Sequence, residues 1–489
     1  MNRSLLVGLD LGTTHAKAEA FRLDGRKVAG AARAYPTYYP QPGWAEQCPD
    51  DWHRAIRDSL QELVTKLGSE ADRISALGLS AHAPGLIPVD SHGAALIERV
   101  PIWQDERSAG QARSLLRRIG PEWVGLGMPF ASFAAKLGWF TETYPELAGQ
   151  ARYALGVKGH LAHWLTGRYA TDPSSEPGHD ESWQRMCGAC DWSLDRLAPV
   201  VPASEVLADL RADLQQELGL KHAVPVVVGL NDGGSATLGS GAYEPGQGVI
   251  TLATNGVVFL VSDRPVPAEQ RLSKAIFGWP FVDGRWIGGG QTKAGAASLQ
   301  WLVGILTEGA AAGADFDRLL HACDESPAGS RGVRFFPYLM GRGTPGDNPS
   351  ARGAFTGLTM QTDRADLTRA VLEGVAFTLR DVVEELVQIG LRPRELFLTG
   401  GGAKSALWRQ VVADVFNRPL LTSEADSCLG AAMLAGVGAG AFASIGSACS
   451  SMKHKPEVLH PRPEAAAVYE QLYREYARLS DDHAALFSG

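Results

Sequence analysis

One local grammar occurs twice in this sequence, half a chain apart, and it constrains the fold more than any other feature. Leu5-Leu6-Val7-Gly8-Leu9-Asp10 is an apolar run, Leu11-Gly12-Thr13-Thr14-His15 supplies turn residues, and Ala16 to Phe21 resumes a strand-like pattern. Gly248 to Leu252, then Ala253-Thr254-Asn255-Gly256, then Val257 to Val261 follow the same order of strand, hydroxyl-and-glycine turn, and strand. A chain of 489 residues exceeds what one hydrophobic core usually supports. Two similarly built domains, each opening with a hairpin, are therefore expected. The break falls at the Pro/Gly step Tyr243-Glu244-Pro245-Gly246, giving domains of residues 1–245 and 246–489.

The remaining pattern indicates α/β architecture. Ser75 to Ser80 and Val224 to Gly229 read as short buried strands, and Asp50 to Leu67 and Lys136 toward Tyr144 as helices. The clearest helix runs from Asp363 to Ile389, where Leu367, Val371, Leu372, Val375, Leu379, Val382 and Val383 recur at helical spacing. Asp363 is placed to cap it and Gly390 to end it. Glu395 to Thr399 reads as a strand, Gly400-Gly401-Gly402 as a loop, and a further helix starts near Ser405. Strands alternating with helices predict parallel, doubly wound sheets.

Composition removes several function classes. A net charge of -8 offers no general attraction to nucleic acid or to an anionic membrane, and no run approaches the ~20 apolar residues of a membrane span. The segment before Leu5 has no signal-like apolar region, so the cytoplasm is the expected compartment. Six cysteines in so long a chain make no disulfide framework. Cys187 and Cys190 have the spacing of half a zinc site, with His179 nearest as a further ligand. A structural zinc takes four ligands, so reduced surface thiols are the better reading.

Four segments can carry chemistry. Gly401-Gly402-Ala403-Lys404-Ser405 fails the phosphate-loop pattern, which needs contiguous Gly-Lys-Ser, and no dinucleotide fingerprint follows the first strand. The Asp10 to Thr14 turn offers something else: Gly12 lets backbone amides approach a phosphate, Thr13 and Thr14 add hydroxyls, Asp10 can organise Mg2+, and Lys17 adds positive charge. Such a turn by itself is usually only a turn; the matching Thr254-Asn255-Gly256 turn raises the prospect of two hairpins clamping a triphosphate. Asp232 in Gly229-Leu230-Asn231-Asp232-Gly233-Gly234 ends a buried strand, where it either works at the carboxyl edge of the sheet or caps the following helix. The Gly400 to Gly402 loop can lay a nucleotide on backbone amides.

Together these residues resemble the FGGY carbohydrate kinases, within the actin-like and ribonuclease-H-like ATPase superfamily. The resemblance spans nearly the whole chain and rests on motifs in the family's order. These are Asp10-Leu11-Gly12-Thr13-Thr14; Trp103, Asp105 and Arg107; Lys136 with Trp139; Asp232; Phe336-Pro337-Tyr338-Leu339; Gly353 to Leu358 leading to Ala370 to Gly374; Gly401 to Ser405; and Leu429 to Ala432.

The resemblance implies two ribonuclease-H-like domains with a catalytic cleft between them, and ATP-dependent phosphorylation of a sugar hydroxyl with Mg2+. Asp232 would be the base and would share Mg2+ with Asp10. Gly12, Thr13, Thr14, Lys17, Thr254, Asn255, Gly401, Gly402 and Ser405 would hold the nucleotide. His82, Trp103, Asp105 and Gln291 would meet the sugar beside Asp232. The expected substrate is a ketopentose, D-xylulose ahead of ribulose, gluconate and other polyols; homodimers are common in the family. Where xylulose kinases carry Met-His-Gly this chain has Ala83-Pro84-Gly85, with His82 two positions early. Glycerol kinases place Arg-Glu at Ala83-Pro84, which argues against glycerol. Lys293 either recognises an acid or ketose oxygen or pairs with a carboxylate, and the Thr171 to Gly178 loop carries an extra proline. An ATPase switch of the actin or chaperone kind is the alternative from another class.

Overall fold

Both opening hairpins form. In the computed structural model, which describes residues 4–121, 132–176, 181–307, 313–424, 426–452 and 455–487, the apolar Leu5–Leu11 run is strand β1. It turns into β2 (His15–Arg22) and β3 (Lys27–Ala34). With β4 (Ile74–Ala81), β5 (Val206–Asp209) and β6 (Pro225–Asn231) they make a six-stranded sheet in the order β3-β2-β1-β4-β6-β5. The second hairpin is β7 (Gln247–Leu252) and β8 (Gly256–Ser262). Strands β9 (Phe277–Pro280), β10 (Trp286–Thr292), β11 (Glu395–Thr399), β12 (Leu420–Thr422) and β13 (Val458–Leu459) extend it to seven, ordered β9-β10-β8-β7-β11-β12-β13.

The runs β3-β2-β1-β4-β6 and β10-β8-β7-β11-β12 share one order and one set of directions, antiparallel through the hairpin and parallel afterwards. The expectation of parallel sheets is thus corrected to mixed ones. A turn as short as Gly12-Thr13-Thr14 can only return its strand antiparallel, whereas a parallel partner needs a long crossover.

The helices used below are α1 (Pro49–Leu67), α2 (Phe133–Thr143), α3 (Val157–Thr166), α4 (Asp232–Gly239), α5 (Arg364–Gln388), α6 (Ala406–Phe416) and α7 (Ser427–Gly438). The reading of α5 holds at both ends. Asp363 accepts hydrogen bonds from the Ala365 and Asp366 amides at 2.9 and 3.0 Å, and Gly390 at φ +86° stops the helix.

Helix α7 lies in the second half of the sequence yet packs on the first sheet. A β-carbon on Gly8 would stand 1.8 Å from the Cys428 carbonyl oxygen, and one on Gly78 would stand 2.0 Å from that of Ala431. On its other side, a β-carbon on Gly430 would stand 1.9 Å from the Ser235 carbonyl oxygen of α4. Leu6, Ala76 and Val227 from the first sheet, Val249, Val261 and Phe397 from the second, and Leu429 and Met433 of α7 form one buried cluster. The small-residue run near Gly436 belongs to this packing, its α-carbon facing Phe442 and Leu6.

Cys187 and Cys190 are not surface thiols. Both are buried against Phe133, Met186 and Trp192, and burial pushes each thiol up to about 12. Ala-rich packing of α2 against their helix explains this; His179 lies outside the described residues.

Gly430→Ala tests the helix contact. Overpacking of this kind costs about 1–3 kcal/mol, and urea denaturation should show that loss together with reduced turnover, since the displaced element carries residues next to Asp232.

Candidate active site

The carboxyl ends of β1, β4 and β6 meet at one edge of the first sheet, and two carboxylates stand there. Asp10, in the penultimate position of β1, is buried and accepts a 2.7 Å hydrogen bond from the Ser80 hydroxyl on β4. Burial raises its pKa to about 6 against the pull of Ser80 and Lys17. Asp232 follows β6 and is raised to about 7, first by burial and then by the charge of Asp10. A poorly solvated carboxylate raised further by a second one suits a base working near neutral pH or a cation site.

The helix-cap reading of Asp232 is corrected. Asn231 is the cap: its backbone is extended (φ −62°, ψ 165°), and its side-chain oxygen accepts from the Gly234 amide at 2.6 Å. Asp232 is left as the first helical residue, its carboxylate accepting only from the adjacent Gly233 amide at 2.8 Å among described partners. The Asp232 carbonyl receives the Ser427 hydroxyl of α7 at 3.3 Å, so the second half of the chain touches the same residue.

The first turn is held from outside. Tyr35 donates its hydroxyl to the Gly12 carbonyl, and the charges of both Asp10 and Asp232 help hold that phenol far above its ordinary pKa, after burial. Gln47 donates to the Thr13 carbonyl at 2.7 Å, and the Trp103 indole donates to the Thr13 hydroxyl at 2.9 Å. Trp103 therefore reaches the turn. Thr14 is exposed, its hydroxyl 2.9 Å from the His15 ring. Lys17 is engaged elsewhere, 3.3 Å from Asp426, the residue that caps α7.

On the second sheet Thr254 and Asn255 form the β7–β8 turn, with the Thr254 carbonyl accepting the Gly295 amide at 2.9 Å. The glycine loop lies against the same strand end. A β-carbon on Gly400 would come within 2.6 Å of the Leu252 carbonyl oxygen, and one on Gly402 within 3.0 Å of the Leu252 side chain. Gly401 is exposed, and Ser405 caps α6 by accepting from the Trp408 amide at 3.3 Å. Gln291, on β10, is tied through its backbone to Thr344.

Two sugar-side candidates differ in their surroundings. His82 follows β4 at the same sheet edge, its amide donating to the Leu11 carbonyl at 2.9 Å; its ring is buried edge-on to Trp52 at 5.8 Å, neither ring nitrogen has a hydrogen-bond partner, and burial lowers it to about 3. Asp105 is neither exposed nor available to a hydroxyl. Its oxygens accept the Ala45 amide at 2.7 Å and the Arg107 guanidinium at 2.7 to 2.9 Å, while Arg107 also pairs with Glu46 and lies 3.6 Å over Trp44. Lys293 pairs with Asp347 at 2.5 Å, the blander of its two readings.

Sequence reasoning missed Ser80, Tyr35, Gln47 and Asp426, none of which lies in a motif. Asn231 had a legible signal: an Asn followed by Asp-Gly-Gly after an apolar run is as good a cap as the aspartate. Among the described residues, the three-donor group spaced for a metal is Glu19, Asp426 and Cys428, and Lys27 and Lys17 already neutralise its two carboxylates. A cavity of about 510 Å³ beside Arg342, Asp347 and Asp481 contains none of the residues above.

Comparison with known proteins agrees with this geometry. Residues 5–239 match the N-terminal domain of the FGGY family of carbohydrate kinases, and residues 248–439 match its C-terminal domain. The chain belongs to the FGGY family of carbohydrate kinases. It is 28% identical to a xylulose kinase of Staphylococcus epidermidis over 97% of this chain and 96% of the relative. It is 30% identical to a gluconokinase of Bacillus subtilis over 88% and 87% of the two chains. A solved structure described as a xyloylose kinase from Brucella ovis superposes with a TM-score of 0.88 at 28% identity, covering 99% of this chain and 100% of that one. The protein is a sugar kinase of the FGGY type, and membership implies that it uses ATP. No helix among the described residues is long and apolar enough to cross a membrane.

The poor solvation of the half-buried Asp232 has a measurable consequence. Its pKa is about 7 in the folded chain against an ordinary 3.8, so the folded state binds the extra proton. That contribution to stability is full below about pH 4 and is lost as pH rises through about 7. Asp232→Asn removes the loss, so its thermal midpoint should exceed that of the unaltered protein at about pH 8, with the gap closing at about pH 5. An equal gap at both pH values would contradict a poorly solvated, raised carboxylate.

Proposed function

We propose that the protein transfers the γ-phosphoryl group of ATP to a hydroxyl of a ketopentose, with Asp232 as general base. The observation that carries this reading is the near-neutral Asp232 carboxylate beside Asp10, at a helix start where Asn231 has taken over the capping. A base with a pKa near the working pH is the efficient choice for taking a hydroxyl proton. Asp232 would accept that proton while the oxygen attacks phosphorus, and the two turns and the glycine loop would hold the phosphates. Thr13, Thr14, Thr254 and Asn255 offer hydroxyl, amide and backbone donors; Gly12, Gly401 and Gly402 allow close approach. Lys17 would contribute charge from a distance through its pair with Asp426.

The donor set fits Mg2+, a hard cation that prefers carboxylate oxygen. Asp10 and Asp232 would hold it, and it would neutralise charge developing on the phosphates. The fit rests on the charge of Asp10 raising a poorly solvated Asp232, a conflict that a divalent cation relieves. The division of labour suits a domain boundary at residues 245 and 246, with base and sugar on the first domain and nucleotide on the second.

A ketopentose, D-xylulose first, is favoured over gluconate because Lys293, the cation read as able to meet an acid, is occupied by Asp347. Trp103 would pack on the carbon skeleton. Ala83 and Pro84 bring no side-chain donor, so the distal hydroxyls would be met by backbone groups or by Gln291.

Asp232→Asn should retain ADP binding and lose about 100- to 10,000-fold in turnover; near-normal turnover would remove the base assignment. A panel of D-xylulose, D-ribulose, D-gluconate and glycerol, followed by sugar-dependent ADP release, should give the highest kcat/KM with a ketopentose. The highest value with gluconate would overturn the substrate reading, and sugar-independent release would favour an ATPase switch.

A further inference from the structure

Lys158 is a lysine in an expensive position. It lies in the first turn of α3, fully buried, where burial and the positive end of the helix both oppose a cation. Its ammonium pairs with the buried Asp172 and donates to the Gly229 carbonyl at 2.8 Å.

Gly229 marks a bulge in β6. Val227 pairs with Gly78 and Leu230 with Ser80, so Val228 and Gly229 together face the single residue Leu79. Gly229 has φ +71°, and a β-carbon there would stand 1.6 Å from the Leu79 carbonyl oxygen, so no other residue fits. A bulge re-aims the strand beyond it, and what lies beyond is Asn231-Asp232.

The other arm of the network reaches the same place. Asp172 accepts the Ser174 amide at 2.8 Å; the Ser174 hydroxyl accepts the Asn231 amide at 3.0 Å, and the Asn231 side-chain amide donates to the Ser174 carbonyl at 2.8 Å. Two residues further on, Glu176 is buried over the start of α3, accepting the Gly159 amide at 3.2 Å. β-Carbons on Gly156 and Gly159 would come within 2.4 and 2.7 Å of its carboxylate, so both glycines make room for it. The loop is thus fixed at Asp172 and at Glu176, and Ser174 between them grips Asn231.

From this geometry we infer that Lys158 is a positioning residue for Asp232, fixing its direction through Gly229 on one side and through Asp172, Ser174 and Asn231 on the other. The inference rests on the reading of Asp232 as base. This lysine reaches the strand end that leads into a single aspartate, touching Gly229 directly and Asn231 through Asp172 and Ser174.

The test is a double-mutant cycle on the full-length enzyme, with kcat and KM for ATP and D-xylulose measured for Lys158→Met, Asp232→Asn and the pair. Misplacement by about an ångström costs on the order of 100-fold, so Lys158→Met should lower kcat by about 10- to 100-fold while KM for ATP moves by less than about twofold. On the Asp232→Asn background the added loss should shrink to less than about threefold, because there is no base left to misplace. A loss of the same size on both backgrounds overturns the positioning role and leaves the base assignment standing. Near-normal turnover of Asp232→Asn alone removes both. Circular dichroism and ADP binding verify folding. Should Lys158→Met not fold, Ser174→Ala, which deletes only the acceptor for the Asn231 amide, takes its place: about a 10-fold loss confined to the Asp232 background is expected, and a loss independent of it overturns the inference.

Discussion

The site depends on one backbone-to-backbone contact, the laying of α7 across the first sheet. Side chains cannot intervene at Gly8, Gly78 or Gly430 because the facing carbonyl oxygens stand where a β-carbon would be. A helix from the second half of the sequence is thereby made part of the first sheet's floor. Its cap, Asp426, draws Lys17 to itself, and its first residue, Ser427, bonds the Asp232 carbonyl. Domain geometry and base geometry are therefore set by the same packing. A change that lifts α7 by a fraction of an ångström acts on the carboxylates without touching them.

The carboxylates themselves run against stability. Setting two poorly solvated acids at one sheet edge is unfavourable, and among the described residues no arginine pairs with Asp10 or Asp232. The neighbouring Asp105 shows the contrast. It is fully buried, and Arg107 and the Ala45 amide saturate it, whereas the Asp232 carboxylate accepts only from the adjacent Gly233 amide among the described residues.

Much of the fold was legible because its signals are local. Alternation and turn residues gave both hairpins, helical spacing and Asp363 gave α5, and Ser405 marked the start of α6. The mixed character of the sheets was implied by the shortness of the turns but was masked by the later strand-helix alternation. The surroundings of His82 and Asp105 were not legible: the contacts that hold these side chains come from Trp52 and from Arg107 with Ala45, and no motif signals them. Cys187 and Cys190 read as surface thiols once a zinc site is set aside; their burial comes from packing against α2, which no local signal shows.

Lys158 is the furthest from legibility. In sequence it is a lysine in the first turn of a helix, the place where a cation is least favoured and where a solvated surface residue is the ordinary explanation. Its meaning comes from Gly229, 71 positions later, whose carbonyl a bulge leaves free to accept from it. Neither residue signals the other: the glycine is needed for its positive φ and the lysine for its reach. Only the folded chain brings a freed carbonyl, a buried ammonium and an aspartate together. The role proposed for Lys158 would be carried by a residue that never meets the substrate, so it is written in three dimensions and has no motif.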